Sequence, residues 1–151
     1  MPGYAGGTKA NPTYEEVSTE KTGHAEVSRV EFDPAQISYP DLLTVFFAVH
    51  DPTTLNRQGS DVGVQYRSII LYTTPEQKTE AENFISELNK EGGKVVTEVK
   101  LLDKFYPAEE EHRRFYEKNP EEAYCRLIIS PKLEKLKDKF SELLKKSGKS
   151  F

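Results

Sequence analysis

Two local signals bracket one segment of this chain tightly. Thr74-Pro75-Glu-Gln77 sets a capping threonine, a proline at the first helical position and a glutamine at the third. Gly92-Gly93 supplies the stop. Between them Ala81, Phe84, Ile85 and Leu88 recur at helical spacing. An apolar run, Ile69-Ile70-Leu71, marks a strand over residues 66–72, and residues 95–102 read as another strand. Strand, helix and strand in succession restrict the fold to an α/β or α+β class built in two layers.

The flanking sequence fits that class. Residues 25–32 read as a strand with imperfect alternation, closed by Asp33-Pro34. Ser38 caps a helix over 39–49, with Asp41 three residues on as in a capping box and Leu42, Val45, Phe46 and Val49 as its apolar stripe. Residues 108–118 form a short charged helix and 124–129 a strand or extended segment. Pro131 opens a last helix whose Leu133, Leu136, Phe140 and Leu143 share one face. Residues 1–24 are rich in Gly, Pro and Thr and read as loop.

Composition narrows the function classes. The 151 residues make one domain. A hydrophobic share of 36% is low, but eight Phe and eight Tyr can still build a core. The net charge of -4 disfavours nonspecific binding to nucleic acid or an anionic membrane. The lysines of residues 132–149 read as a solvated helix face. No stretch approaches the roughly 18 apolar residues a membrane helix needs. Met1-Pro-Gly-Tyr has neither the charge nor the apolar run of a signal peptide. The lone Cys125 excludes an internal disulfide and any CxxC motif, which points to a cytoplasmic, reducing location. His24, His50 and His112 are spaced for no metal triad and read as hydrogen-bonding scaffold, so no metal is expected.

The polar, glycine-bearing run from His50 to Ser68 is too elaborate for a plain connector. Taken with Gly3-Tyr-Ala-Gly-Gly7, Asn11-Pro-Thr-Tyr14, Thr22-Gly-His-Ala-Glu26, Phe105-Tyr-Pro-Ala-Glu-Glu-Glu-His112 and Tyr116-Glu-Lys-Asn-Pro120, it resembles the A-type peptide methionine sulfoxide reductases over nearly the whole chain. The resemblance implies an α+β fold, a ferredoxin-like two-layer α/β sandwich with long wrapping loops. It also implies reduction of peptide and free methionine-S-sulfoxide to methionine. That chemistry needs a soft thiolate or selenolate to attack sulfur, an acid to protonate the departing oxygen, and an apolar wall for the methyl group.

By resemblance, Glu26 is the acid, Tyr14 and Tyr66 hold the sulfoxide oxygen, and Asp61 supports the polar network. Gly59, Gln65 and His50 belong to the substrate loop. A carboxyl among phenols and apolar walls is expected to hold its proton near neutral pH. Taken singly, each residue has a plainer reading: Glu26 facing solvent, Tyr14 packing a turn, Asp61 closing an Asx turn, Tyr66 in the core. The spacing of the whole set favours the site. The family uses no bound cofactor. It is recycled by an external thiol reductant of the thioredoxin or glutathione/glutaredoxin type, and its substrates are oxidised-methionine peptides and proteins. A monomer is expected.

Two departures qualify the match, the lesser being Val17-Ser18-Thr19 where many relatives have Val-Cys. The family's nucleophile sits in a Gly-Cys-Phe-Trp segment that would lie ahead of Met1, and Met1 falls where the family has an interior residue. The expectation is therefore a chain truncated at its N-terminus, lacking one strand and its helix, with a Cys or selenocysteine nucleophile upstream. Cys125 matches a Tyr-Cys position that is a resolving thiol in some members and a buried core cysteine in others, and both readings stand. The alternative function is a catalytically inactive relative that binds oxidised methionine without turnover.

Overall fold

The computed structural model describes residues 1–111. In chain order its elements are β1 (Pro2–Ala5), α1 (Tyr14–Ser18), β2 (Ala25–Ser28), α2 (Tyr39–Val49), β3 (Arg57–Gln58), β4 (Asp61–Val62), a 3-10 turn (Val64–Tyr66), β5 (Ile69–Tyr72), α3 (Pro75–Lys90), β6 (Glu98–Leu101) and β7 (Phe105–Pro107). The class is α+β, as expected. The expected helix over 108–118 runs past the described residues, and the strand over 124–129, the helix from Pro131, and Cys125 lie outside them.

The two expected helices that lie wholly within the described residues form, with their caps. Ser38 Oγ accepts the Asp41 N–H at 3.1 Å while Asp41 Oδ2 accepts the Ser38 N–H at 3.4 Å, the reciprocal pair of a capping box. Thr74 Oγ1 accepts the Gln77 N–H at 3.2 Å, with Pro75 opening α3. The expected stripe of α2 is displaced. Leu43 is the buried residue, and Tyr39, Phe46 and Phe47 pack beside it against Ile70 and Ala81. Tyr39, Leu43, Phe46 and Phe47 also follow helical spacing, and this set turns more aromatic surface inward than the one through Leu42 and Val45. Phe47 stacks on Phe84 of α3 at 5.2 Å between centroids. Under this layer β5 and β6 pair in parallel, Ile70 opposite Val99, with α3 as the crossover.

The first residues are not a loop. β1 is the central strand of a three-stranded antiparallel sheet ordered β2-β1-β7. Tyr4 and Ala5 are buried. Gly3 is required there because a Cβ would lie 2.3 Å from the Phe105 ring and 2.5 Å from the Tyr106 carbonyl oxygen. The glycine that made the segment look like loop is what lets β7 close on it. α1 then docks on this sheet through a small cluster of Val17, Tyr4 and Ala108.

Candidate active site

Tyr4 lies opposite Glu26 of β2 on one side and Tyr106 of β7 on the other, so the three side chains share one sheet face. Burial, then the carboxylates of Glu109 and Glu26 and the hydroxyl of Tyr14, push the Tyr4 phenol far up. Tyr4 therefore stays a neutral donor, and its O–H donates to Glu109 Oε2 at 3.2 Å.

Tyr14 opens α1, where Thr13 Oγ1 caps the helix by accepting the Glu16 N–H. Lys9 pairs with Glu16 and ties the preceding loop to the helix. That loop is held from below by His24, which is 2% exposed. The Gly7 N–H donates to Nδ1 at 3.0 Å, so Nε2 carries the proton and donates to the Lys9 carbonyl at 2.7 Å. Gly7 fits against the turn before His24 only without a Cβ, which would sit 2.4 Å from both the His24 nitrogen and the Thr22 carbonyl oxygen.

The His50–Ser68 run contributes from the other side. Gln58 pairs with Asp61 around a tight hairpin whose Gly59 takes φ +57, where an added Cβ would meet no atom of the described residues within 4 Å. The turn after it presents Tyr66. Burial and then the charges of Glu26 and Asp61, with the Tyr14 hydroxyl, raise the Tyr66 phenol. Glu26, Tyr14 and Asp61, which come from three other segments, thus all act on the Tyr66 phenol. Glu26 and Tyr66 are half-buried, while Tyr14 and Asp61 are open to solvent.

The remaining loop residues sit around this group rather than in it. Gln65 is buried beside Tyr66, and among the described residues its Oε1 has no hydrogen-bond partner. His50 is part of a separate relay. Its Nδ1–H donates to the Phe46 carbonyl, Nε2 faces Ser68 Oγ at 2.7 Å, and Ser68 faces Thr97 Oγ1 at 2.7 Å. Burial holds the imidazole neutral by lowering its pKa. Among the described residues no three His, Cys, Asp or Glu side chains gather as a metal site would, and no helix is long and apolar enough to cross a membrane.

Two residues the sequence did not point to complete the arrangement. Arg67, largely buried, spreads one guanidinium over three segments: Nη1–H to the Val64 carbonyl at 2.8 Å, Nη2–H to the Gly23 carbonyl at 2.9 Å, and Nε to the Glu98 carboxylate at 3.2 Å. Glu109 accepts the Tyr14 N–H at 2.8 Å as well as the Tyr4 hydroxyl. Such contacts to main-chain atoms leave no spacing in a sequence; the only signal available for Glu109 was its place in Phe105-Tyr-Pro-Ala-Glu109.

The sheet face bearing Tyr4, Glu26 and Tyr106 meets the turn that carries Tyr66, so phenols gather around one half-buried carboxyl. Comparison with known proteins gives that site a family. The model for peptide methionine sulfoxide reductase matches residues 1–144. The chain is 52% identical over 142 residues to the peptide methionine sulfoxide reductase MsrA of Picrophilus torridus, covering 93% of this chain and 80% of that one. It is 57% identical over 133 residues to the MsrA of Nautilia profundicola, covering 88% and 77%. Among solved structures it resembles reduced Mxr1 from Saccharomyces cerevisiae, with a TM-score of 0.74, 35% identity and coverage of 80% of this chain and 70% of that one. It also resembles methionine sulfoxide reductase A of Corynebacterium diphtheriae, with a TM-score of 0.68, 37% identity and coverage of 79% and 62%. The chain belongs to the peptide methionine sulfoxide reductase family, oxidoreductases that reduce methionine sulfoxide.

Proposed function

We propose that this domain supports thiol-dependent reduction of methionine-S-sulfoxide, free or in a peptide, with Glu26 as the acid. The observation that carries the reading is the convergence of Glu26, Tyr14 and Asp61 on the Tyr66 phenol. Tyr66, its phenol raised, is protonated at neutral pH and donates to the sulfoxide oxygen. Tyr14 donates to the same oxygen from the solvent side, where the substrate arrives. Glu26 then gives its proton as the S–O bond breaks. Asp61 supports the polar surround from the β3–β4 hairpin, with Gly59 shaping the turn and Gln65 and His50 backing the loop.

Overall, two thiols and one sulfoxide give one sulfide, one disulfide and water. The attacking thiolate or selenolate belongs to a segment preceding residue 1, and the disulfide is cleared by a thioredoxin- or glutathione-type reductant. Cys125 is either the resolving thiol of that cycle or a core cysteine. The domain works as a monomer in the cytoplasm, without a bound cofactor, in repair of oxidised proteins under oxidative stress.

The test is turnover of a methionine-S-sulfoxide peptide with dithiothreitol by this 151-residue chain and its Cys125→Ser variant. The reading expects both to bind the peptide and neither to turn it over. Turnover that vanishes in Cys125→Ser would make Cys125 the nucleophile and overturn the upstream assignment. A folded chain that does not bind the sulfoxide would sink the site itself.

A further inference from the structure

We propose that Glu109 is a positioning residue for Tyr14, fixing the sulfoxide-binding phenol by gripping Tyr14 and Tyr4 with the two oxygens of one carboxylate. The inference rests on the reading of Tyr14 given above.

Oε1 accepts the Tyr14 N–H at 2.8 Å and Oε2 accepts the Tyr4 O–H at 3.2 Å. The two tyrosines differ in how firmly the rest of the fold holds them. Tyr4 is 2% exposed in the central strand, whereas Tyr14 is 38% exposed on a helix of five residues. A helix so short has little stability of its own, so its position depends on what it docks against. Its apolar anchor is Val17, packed on Tyr4 and Ala108. Glu109 stands next to that anchor, and the Ala108 N–H donates to the Pro2 carbonyl at 3.0 Å, so the Glu109 backbone is tied to β1. The carboxylate thus takes its reference from the strand opposite Glu26 and transfers it to the first residue of α1.

The choice of side chain follows from the donors. Both partners present hydrogen, and an ionised carboxylate is acceptor-only with an oxygen for each. Glutamine can still satisfy both, because its carbonyl keeps the Tyr14 N–H while its amide donates to a Tyr4 hydroxyl that has turned to accept. Alanine can satisfy neither. The Phe105-Tyr-Pro-Ala-Glu109 stretch, which the acid-and-phenol scheme leaves without a role, acquires one.

The experiment titrates this chain with N-acetyl-L-methionine-(S)-sulfoxide methylamide and follows binding by two-dimensional NMR. Glu109→Ala is expected to weaken binding roughly tenfold, the scale of one charge-assisted hydrogen bond, and Glu109→Gln to restore most of it. In a Tyr14→Phe background the Glu109→Ala loss should disappear; in a Tyr66→Phe background it should persist. Binding unchanged in folded Glu109→Ala, or an equal loss in both backgrounds, would overturn the proposal. Should Glu109→Ala fail to fold, the same cycle is read on Tyr4→Phe, with a loss of about threefold expected because the Tyr14 N–H keeps its carboxylate partner, and again confined to chains that keep Tyr14. If Tyr14→Phe itself leaves binding unchanged, the reading of Tyr14 fails first, and that result is seen before any Glu109 variant is measured.

Discussion

Arg67 Nη2 lies 2.9 Å from the carbonyl oxygen of Gly23, three residues before Glu26, while the same guanidinium holds the turn that carries Tyr66. Glu26 and Tyr66 are therefore set relative to each other by one largely buried side chain. Replacing Arg67 with methionine keeps the packing volume and removes all five donors. It leaves the Val64 and Gly23 carbonyls and the Glu98 carboxylate without that partner. We predict a loss of about 1–2 kcal/mol of stability, at about 0.5–1.5 kcal/mol per hydrogen bond lost, with water replacing the exposed ones. A thermal melt against Arg67→Lys, which retains a charge but not the fork, checks it.

Gly7 is a second point where the site depends on the backbone. Its missing side chain lets the Gly7 loop lie against the turn entering β2, and the atoms a Cβ would meet are main-chain atoms that cannot rotate away. Gly7→Ala is predicted to cost about 1–3 kcal/mol by forced displacement. Because His24 Nδ1 accepts the Gly7 N–H, the variant should also shift the His24 ring resonances. An alanine variant with an unchanged melt and unchanged His24 shifts would show that the two segments are not in contact as described.

His50 gives a pH dependence with a definite sign. Burial lowers its pKa below the ordinary 6.5, so the folded state binds its proton less readily than the unfolded state does. The stabilising contribution is complete above about pH 6.5 and is lost as pH falls below that value. The neutral ring is also the form that the Phe46 and Ser68 contacts require. Wild-type chain should lose stability between pH 7 and pH 5 more steeply than His50→Asn, with melting temperature against pH as the readout. Parallel curves would contradict the assignment.

Tyr66 makes the opposite prediction at high pH. Burial and the neighbouring carboxylates raise its phenol above the ordinary 10, so its hydroxyl remains a donor where an exposed tyrosine has ionised. Its stabilising contribution is complete below pH 10 and is lost as pH climbs through the raised value. Sulfoxide binding is expected to hold steady from pH 8 to pH 10. An ultraviolet titration that finds every phenol ionising together near pH 10 would contradict this.

The sequence made some of these relationships visible and concealed others for physical reasons. The bounds of α2 and α3 were readable because caps and prolines act within one turn. β1 was not, because Pro2-Gly3 carries turn composition and becomes strand only through partners more than twenty and a hundred residues away. The inward face of α2 was misjudged because two stripes share Phe46, and the choice falls to aromatic area against α3. At the site, Glu26, Tyr14, Tyr66 and Asp61 were implied by the resemblance of their motifs to the family's. Arg67 and Glu109 lie within the quoted motifs, but their partners, mostly main-chain atoms of distant segments, leave no mark in the sequence.

The account turns on Glu26, Tyr14 and Tyr66 recognising an oxygen on sulfur. Its most direct test is to titrate this chain with N-acetyl-L-methionine-(S)-sulfoxide methylamide and with the corresponding reduced methionine compound, in wild type and in Glu26→Gln/Tyr66→Phe. The wild-type chain should prefer the sulfoxide by about tenfold or more, as expected for hydrogen bonds from two or three donors, and the double variant should lose that preference while binding the reduced compound as before. Equal affinity of the wild-type chain for the two compounds would contradict the account.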